Sequence, residues 1–510
     1  MKKYFTISRI NSRLFLLILF VFNFSAINAQ LRNSTWLLGN QELSNIFKAR
    51  MVFSLDSFNL QQELRKMRFE GTEATMSDQN GNFIFGSNGV WICNALNDTM
   101  QNGDSLNPNS VTLSAARGLQ IPYANLALTY PNDTTKYLVF HHTADFNGYS
   151  YPSYNLFYTT IDMTLDNGLG GVISKNDTVL SDTLNWGIAA CKHANGRDWW
   201  VVMQKHDSNI IFKILLTPSG ISIITSQQLN VPKAWYNSTQ PTFSPDGKKF
   251  AYSLYEINAD TTDIVSSLIV CDFDRCNGMF SNETTLTMDQ SRYLWGVAFS
   301  PNSQILYTTT TIKVIQVNLS NMAIDTVAFY DGYISPPNLS CCQSTFFNMY
   351  LAANGKIYVT SGNGVQHIHE INFPDSAGLA CDVQQHAIDL GVWNFHTVPN
   401  HPNYNLGCDT MSGCSCLTAI EDFKNYDFKF SVSPNPVSNG QLKIVYMLPQ
   451  NKKGVFEVFD VTGKNVFSYN LPQWSTLQNF DLRFLGGGVY HCTITSGGER
   501  VSRKLVVLKN

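Results

Sequence analysis

His367-Ile368-His369-Glu370 sets two imidazoles two residues apart. Alternate residues of a strand share a face, so His367 and His369 could ligate one ion. No third ligand can be picked out, and a partly exposed strand histidine is the commoner role. His141-His142 would send their rings to opposite faces of a strand, which weakens a shared role. His193 precedes a turn and reads as structural. Asp272 and Asp274 share a face by the same period, and Asp162 and Asp166 do so on a looser count. Carboxylates about 5 Å apart or somewhat more could hydrolyse a glycoside. An Asp at a strand end, however, more often bonds the backbone of a turn. GxSxG, HExxH, the P-loop and GxGxxG with its acid are all absent, as is a full EF-hand loop. No catalytic, cofactor or metal residue is therefore assigned, although Ca²⁺ stays open because Asp and Asn are plentiful in turns. Trp91, Trp186, Trp199, Trp200, Trp235, Trp295 and Trp393 could stack on sugars or anchor a protein where exposed. Packing between structural repeats is the plainer role, above all for Trp199 and Trp200.

These residues need a scaffold, and a repeat supplies one. Six segments share one pattern: apolar strand, tight turn, then a strand rich in aromatic and β-branched residues. They are 74–87, 126–141, 189–203, 241–254, 297–310 and 349–362. Aligned on Asn80, Asn132, Asn195, Asp246, Asn302 and Asn354, they are spaced by 52, 63, 51, 56 and 52 residues. Asn-Gly and Asp-Gly tolerate positive φ and close hairpins. About fifty residues make four short strands, and one such sheet cannot bury its faces alone. Radial stacking solves that and predicts an all-β, seven-bladed β-propeller, with six or eight blades as alternatives and a sandwich or solenoid as runner-up. The leftover pieces Trp36-Leu37-Leu38-Gly39 and 387–395 would share the seventh blade, closing the ring from both ends. Residues 40–66 lack a clear strand pattern and leave helix open. A site would be expected in the central channel or on the loops of one face.

The runs FSPDGKKFAYS (243–253) and FSPNSQILYTT (299–309) resemble PD40/WD40-like repeats of periplasmic and secreted propellers. With 162–172, 192–202, 273–282, 296–307 and 351–359, the wider chain resembles propeller proteins common in Bacteroidota. The resemblance implies fold and location, and no settled chemistry.

The two ends read as addresses. Lys2, Lys3, Arg9 and Arg13 precede an 11-residue apolar run at 14–24 and small residues ending at Ala29. That is a secretory signal peptide over 1–29, cut between Ala29 and Gln30. Its apolar run is too short to span a membrane, which takes about 20 residues. Its loss moves the formal charge from −3 to −7 and leaves no spanning segment. The chain of 510 residues holds only 14% charged residues and 49 Asn, with no basic block, so nucleic acid is not an expected partner. At the other end, 428–510 reads as short strands of a small Ig-like β-sandwich, after a propeller over 30–407 and a linker over 408–427. SPNP (433–436), FDVTGKNV (459–466), GGGVYHCTI (486–494) and RKLVVLK (503–509) resemble, in order, the type A C-terminal sorting domain of the type IX secretion system. The resemblance carries a sorting role to Pro434, Asn435, Pro436, Gly463, Lys464, Gly488, Tyr490, Arg503 and Lys504. It implies engagement of the type IX machinery and release to the cell surface or medium. Cys492 departs from the pattern.

All 11 cysteines lie beyond residue 29, and an exported chain meets oxidising conditions. An odd count leaves at least one thiol free or paired between chains. Cys408, Cys414 and Cys416 lack the paired spacing of a zinc site, so a linker disulfide is expected. The vicinal Cys341 and Cys342 cannot be paired from sequence. Two functions follow as expectations: a surface module binding a protein or glycan without catalysis, or a surface hydrolase with its acids in the channel.

Overall fold

The computed structural model describes residues 31–40, 47–54, 57–115, 118–143, 153–233, 240–257, 264–289, 293–336, 341–416, 430–438, 440–446, 448, 453–471, 477–497 and 499–509. The expected signal peptide and its expected cleavage site, Ala29-Gln30, lie outside them. The chain divides into two units at Cys416/Leu417.

The first unit is built from antiparallel sheets in chain order. The first two have three strands each: β1 (Thr35–Leu38), β2 (Phe47–Phe53) and β3 (Phe58–Leu64), then β4 (Ala74–Ser77), β5 (Phe83–Ser87) and β6 (Ile92–Asn94). A seven-stranded sheet follows: β7 (Asn125–Thr129), β8 (Lys136–His141), β9 (Ser153–Asp162), β10 (Gly171–Lys192), β11 (Trp199–Lys205), β12 (Ile210–Thr217) and β13 (Gly220–Gln228). The next four-stranded sheet comprises β14 (Thr242–Phe243), β15 (Lys249–Ile257), β16 (Ile264–Asp274) and β17 (Met279–Asp289). After it come β18 (Val297–Phe299), β19 (Ile305–Thr310), β20 (Lys313–Asn318) and β21 (Ala323–Phe329). The last comprises β22 (Met349–Leu351), β23 (Ile357–Val359), β24 (Val365–Ile371) and β25 (Val383–Asn394). The seven-stranded sheet is two blades fused through β10. That strand pairs with β9 as far as Leu184 and with β11 from Leu184 to Lys192, breaking register at bulges. Counted so, there are seven blades.

Each of the six repeated segments forms the first hairpin of a blade. The residue after the aligned Asn or Asp takes positive φ in five of them, Gly247 at 71° and Ser303 at 61° among these, and Asn132 itself does so in the sixth. First strands touch in sequence, β4 to β7, β10, β14, β18 and β22, and so line the axis. Their hairpin turns gather on one face, here the turn face.

β1 breaks the rule. Leu31 N–H donates to Gln79 O, Ser77 N–H to Arg32 O and Leu37 N–H to Glu73 Oε1, so β1 runs against β4. It holds the place of a second strand. The chain after β25 lies in the innermost place between β22 and β4, where His401 N–H donates to the Tyr350 hydroxyl and Asn400 N–H to Glu73 O. The shared-blade expectation is therefore corrected. Residues 387–394 form part of the outermost strand of the last blade, and Trp36–Leu38 belong to a different sheet. The ring closes instead through side chains and one backbone bond, Asn40 N–H to Trp393 O at 3.0 Å. Trp36 is fully buried against Phe53, Tyr350 and Tyr358, and Gly39 N–H donates to Asn394 Oδ1 at 2.9 Å. The stretch 40–66, left open to helix, contains β2 and β3. Its pattern hides because β3 is an edge strand, FNLQQEL, whose polar residues face water.

The second unit is a two-sheet sandwich. One sheet is β26 (Phe430–Ser433), β27 (Gln441–Tyr446) and β30 (Leu477–Asp481). The other is β29 (Asn465–Leu471), β28 (Gly454–Phe459), β31 (Gly488–Ser496) and β32 (Glu499–Val507). β28 alternates strictly, with Phe456 and Val458 inward, as a one-sided strand must. Phe456 stacks on Phe480 at 5.1 Å, tying the sheets together.

Candidate functional site

The axis is filled by the chain itself. Residues 397–408, TVPNHPNYNLGC, carry two prolines that lack an N–H and disfavour helix before them. Asparagines do the bonding that a ladder would do. The Asn400 amide donates to Ile188 O at 2.7 Å and Asn125 O at 3.1 Å, joining two blades besides the one reached by its backbone. His401 Nε2 donates to Thr75 O at 2.9 Å, and the Tyr404 hydroxyl to Ala127 O at 2.7 Å. Asn403 donates to Pro245 O at 2.8 Å. At the turn face, Arg275 grips Gly407 O at 2.6 Å and Asp409 N–H donates to Ala194 O. Disulfides Cys276–Cys414 and Cys408–Cys416 fix the end. A disulfide among the linker cysteines was expected; the second bond, to the fifth blade, was not. The boundary expected at residue 407 accordingly moves to Cys416.

What stays open is a cavity of about 270 Å³ at the turn-face mouth. Its walls are the first strands of the fourth to seventh blades, Leu31 and Asn33, and residues 400–403, 405 and 406 of the closing segment. Among the described residues no Asp, Glu, Lys or Arg lines it. His401 is buried, which lowers its pKa to about 4 and keeps it neutral. Glu73, whose backbone carbonyl accepts from Asn400, is also buried, and burial raises its carboxyl pKa well above the usual range. A second hollow, of about 430 Å³, lies between the third and fourth blades beside the Asp133–Lys136 ion pair.

The residues singled out from sequence do not converge. The Ser335 hydroxyl accepts from Gln366 N–H and shares a hydrogen bond with His367 Nδ1, at 2.7 Å. His369 Nδ1 accepts from His386 N–H, and its Nε2 donates to Thr345 O, which leaves no lone pair for a metal. Among the described residues no group of three or more His, Cys, Asp or Glu is arranged to hold an ion. His141 sits between Asn107 and Thr159, both at 2.8 Å, while His142 donates to Trp186 O at 2.6 Å. Burial lowers their pKa values to about 3 and about 4. His193 braces its turn through Asn195 N–H and Cys276 O. Asp272 is bound to Lys249 and Asn282, whereas Asp274 accepts from Cys276 N–H in a turn. Asp162 caps Thr164, and Asp166 starts a 3₁₀ turn with φ 48°. Trp199 and Trp200 are core residues whose indoles donate to Thr129 O and Arg275 O. Trp295 stacks on Phe347 at 4.2 Å and is half-buried, as are Trp91, Trp186 and Trp393. Trp235 lies outside the described residues. Cys341 pairs with Cys342, and Cys93, Cys191, Cys271, Cys381 and Cys492 are buried free thiols.

In the second unit the SPNP and RKL motif residues lie together at β32, whereas Gly463 and Lys464 lie in the turn between β28 and β29. Asn435 donates to Lys504 O at 2.8 Å and accepts from Val506 N–H at 2.9 Å, laying Pro434-Asn435-Pro436 beside Arg503-Lys504. The Arg503 guanidinium lies 5.7 Å from the Phe430 ring centre. Gly463, φ 83°, and Lys464 close a turn that Asp460 caps. Gly488 opens β31, and the Tyr490 hydroxyl donates to Gly486 O. Cys492 is a buried filler whose thiol donates to Arg503 O, and burial raises its pKa to about 11.

Residues 431–508 match the family described as secretion system C-terminal sorting domain. No curated protein matches the chain. Among solved structures, a functionally unknown protein from Desulfotomaculum acetoxidans is 12% identical, covers 72% of this chain and 99% of its own, and has a TM-score of 0.40. The periplasmic gluconolactonase of Pseudomonas aeruginosa is 12% identical over 88% of this chain and 99% of its own, at TM-score 0.35. A putative TolB from Agrobacterium tumefaciens is 15% identical over 56% and 86%, at 0.32. Overlaps this loose say nothing of activity. The tail itself marks the chain as type IX cargo, secreted to the cell surface or extracellular space. No helix among the described residues is long and apolar enough to cross a membrane.

Proposed function

We propose that the propeller is a non-catalytic module that binds a protein or glycan outside the cell, after removal of residues 1–29 as a signal peptide. One observation carries this reading. The axis, where a propeller hydrolase would gather its acids, is occupied by residues 397–408, and the cavity left over has no charged lining. Acid–base hydrolysis needs ionisable groups free to act at the reacting bond, and the one imidazole on the lining, His401, is buried with its Nε2 donating to Thr75 O. The test immobilises the whole mature chain, passes solubilised envelope and culture medium over it, and assays the same material for polysaccharide and peptide cleavage. Retention of a defined protein or glycan without product supports the module. Product release that survives repurification, with no retained partner, overturns it.

A further inference from the structure

We propose that the cavity at the turn-face mouth of the axis is a binding site for one neutral sugar ring, free or terminal on a glycan. This rests on the binding-module reading and names its site and ligand class.

The lining selects against charge. An ionic ligand would lose its hydration there with no Asp, Glu, Lys or Arg to compensate it. Its polar side chains are instead amides, hydroxyls and the neutral His401 imidazole, among them Asn33, Thr242, Asn403 and Asn405. A carboxamide both donates and accepts, as does each hydroxyl of a sugar, so the two chemistries match in either orientation. The Asn33 side chain has no hydrogen-bond partner among the described residues. Between these groups, Pro245, Pro301, Pro402 and Ala353 offer C–H surface suited to the apolar face of a pyranose.

The size also points to one ring. At about 270 Å³ the cavity is at the small end of ligand pockets, which run from roughly 300 to 1,000 Å³. It is also preformed. Its floor is the closing segment, held by the Asn403–Pro245 hydrogen bond and by the Cys276–Cys414 disulfide beyond it, so binding orders little chain. Alanine and proline at the wall keep the space free, and a large side chain there would fill it.

The test titrates the whole mature chain with glucose, galactose, mannose and N-acetylglucosamine, and with glucuronate and glucosamine as charged congeners, by ligand-observed NMR and calorimetry. At least one neutral sugar is expected to bind, at least tenfold tighter than its charged congener and with little dependence on salt. Ala353→Trp, which fills the mouth, and Asn33→Ala, which removes the unpartnered amide, should each weaken it tenfold or more. Should Ala353→Trp fail to fold, Asn33→Ala decides, since Asn33 is partly exposed. Absence of binding by every neutral sugar, tighter binding of a charged congener, or binding untouched by the variants overturns the site. If the capture column still retains a partner in that case, the module reading stands and this site alone falls. An empty column with product release removes the module reading itself.

Discussion

Asn400 joins three blades with one residue, through its backbone to Glu73 O and its side chain to Asn125 O and Ile188 O. Asn400→Ala would strand two buried carbonyls, each a loss of about 1–3 kcal/mol. We expect denaturant unfolding to show the variant roughly 2–6 kcal/mol less stable; a change within experimental error would mean that water or a shifted strand replaces the amide. The buried histidines set a pH limit. His141 has its pKa lowered to about 3 and His142, His369 and His401 to about 4, in each case chiefly by burial. The unfolded chain binds protons near pH 6.5 and the folded chain does not, so stability is constant above that pH and falls below it. Each such histidine contributes a slope of up to about 1.4 kcal/mol per pH unit between about 6.5 and 4. The thermal midpoint should therefore drop steeply from pH 6.5 to 4.5, and a flat profile would show these rings gaining solvent or new partners. Little of this was legible in the sequence. His367 and His369 stand in the spacing of a ligand pair, but the nitrogens of His369 are taken by Thr345 and by the backbone of His386, which arrive from distant positions in the chain.

Hairpins were the legible elements, because each depends on its own few residues. Ser-Pro-Asp-Gly at 244–247 writes both the turn and its positive φ into four letters. β3 and the closing segment were not legible, because their partners are far away. An edge strand shows no apolar alternation, and 397–408 has no ladder, only asparagine, histidine and tyrosine side chains and single backbone bonds that reach other blades. The clustering of Asn and Pro in TVPNHPNYN was the one available sign. Its anchoring can be measured. Cys276–Cys414 closes 138 residues of chain, against 8 for Cys408–Cys416. Chain entropy puts the first at about 5 kcal/mol and the second near 2.5 at most. Cys276→Ser with Cys414→Ser should therefore cost clearly more in denaturant unfolding than Cys408→Ser with Cys416→Ser. It should also expose the inner strands β4 and β7 to hydrogen exchange. Equal losses, with those amides still protected, would show that Arg275 and the asparagines hold the segment unaided.

At the scale of the molecule, the two units solve separate problems with separate cores. The sandwich packs Phe430, Ile444, Phe456, Phe480, Ile494 and Leu505 into a cluster drawn wholly from residues 430–507, while the propeller closes on Trp36 and its own axis. Folding of the propeller should then not require the tail, whereas passage across the outer membrane should. Ending the chain after Cys416 keeps all three disulfides and the whole closing segment. We expect that truncation to accumulate inside the outer membrane, with the same thermal midpoint for the propeller as the full chain. Cell fractionation and calorimetry would check the two halves separately. Truncated chain in the medium would detach export from the tail. Retention with a midpoint lowered by several degrees would mean instead that residues after 416 complete the propeller, because a loss of about 1 kcal/mol in a large domain shifts the midpoint by only about 2–4 °C. The order of the motifs SPNP, GGGVY and RKL made the destination readable from the sequence. Their physical basis is that Asn435 and the backbone of Lys504 and Val506 bind one another, so the motif marks a single assembled edge of the sandwich rather than three separate signals.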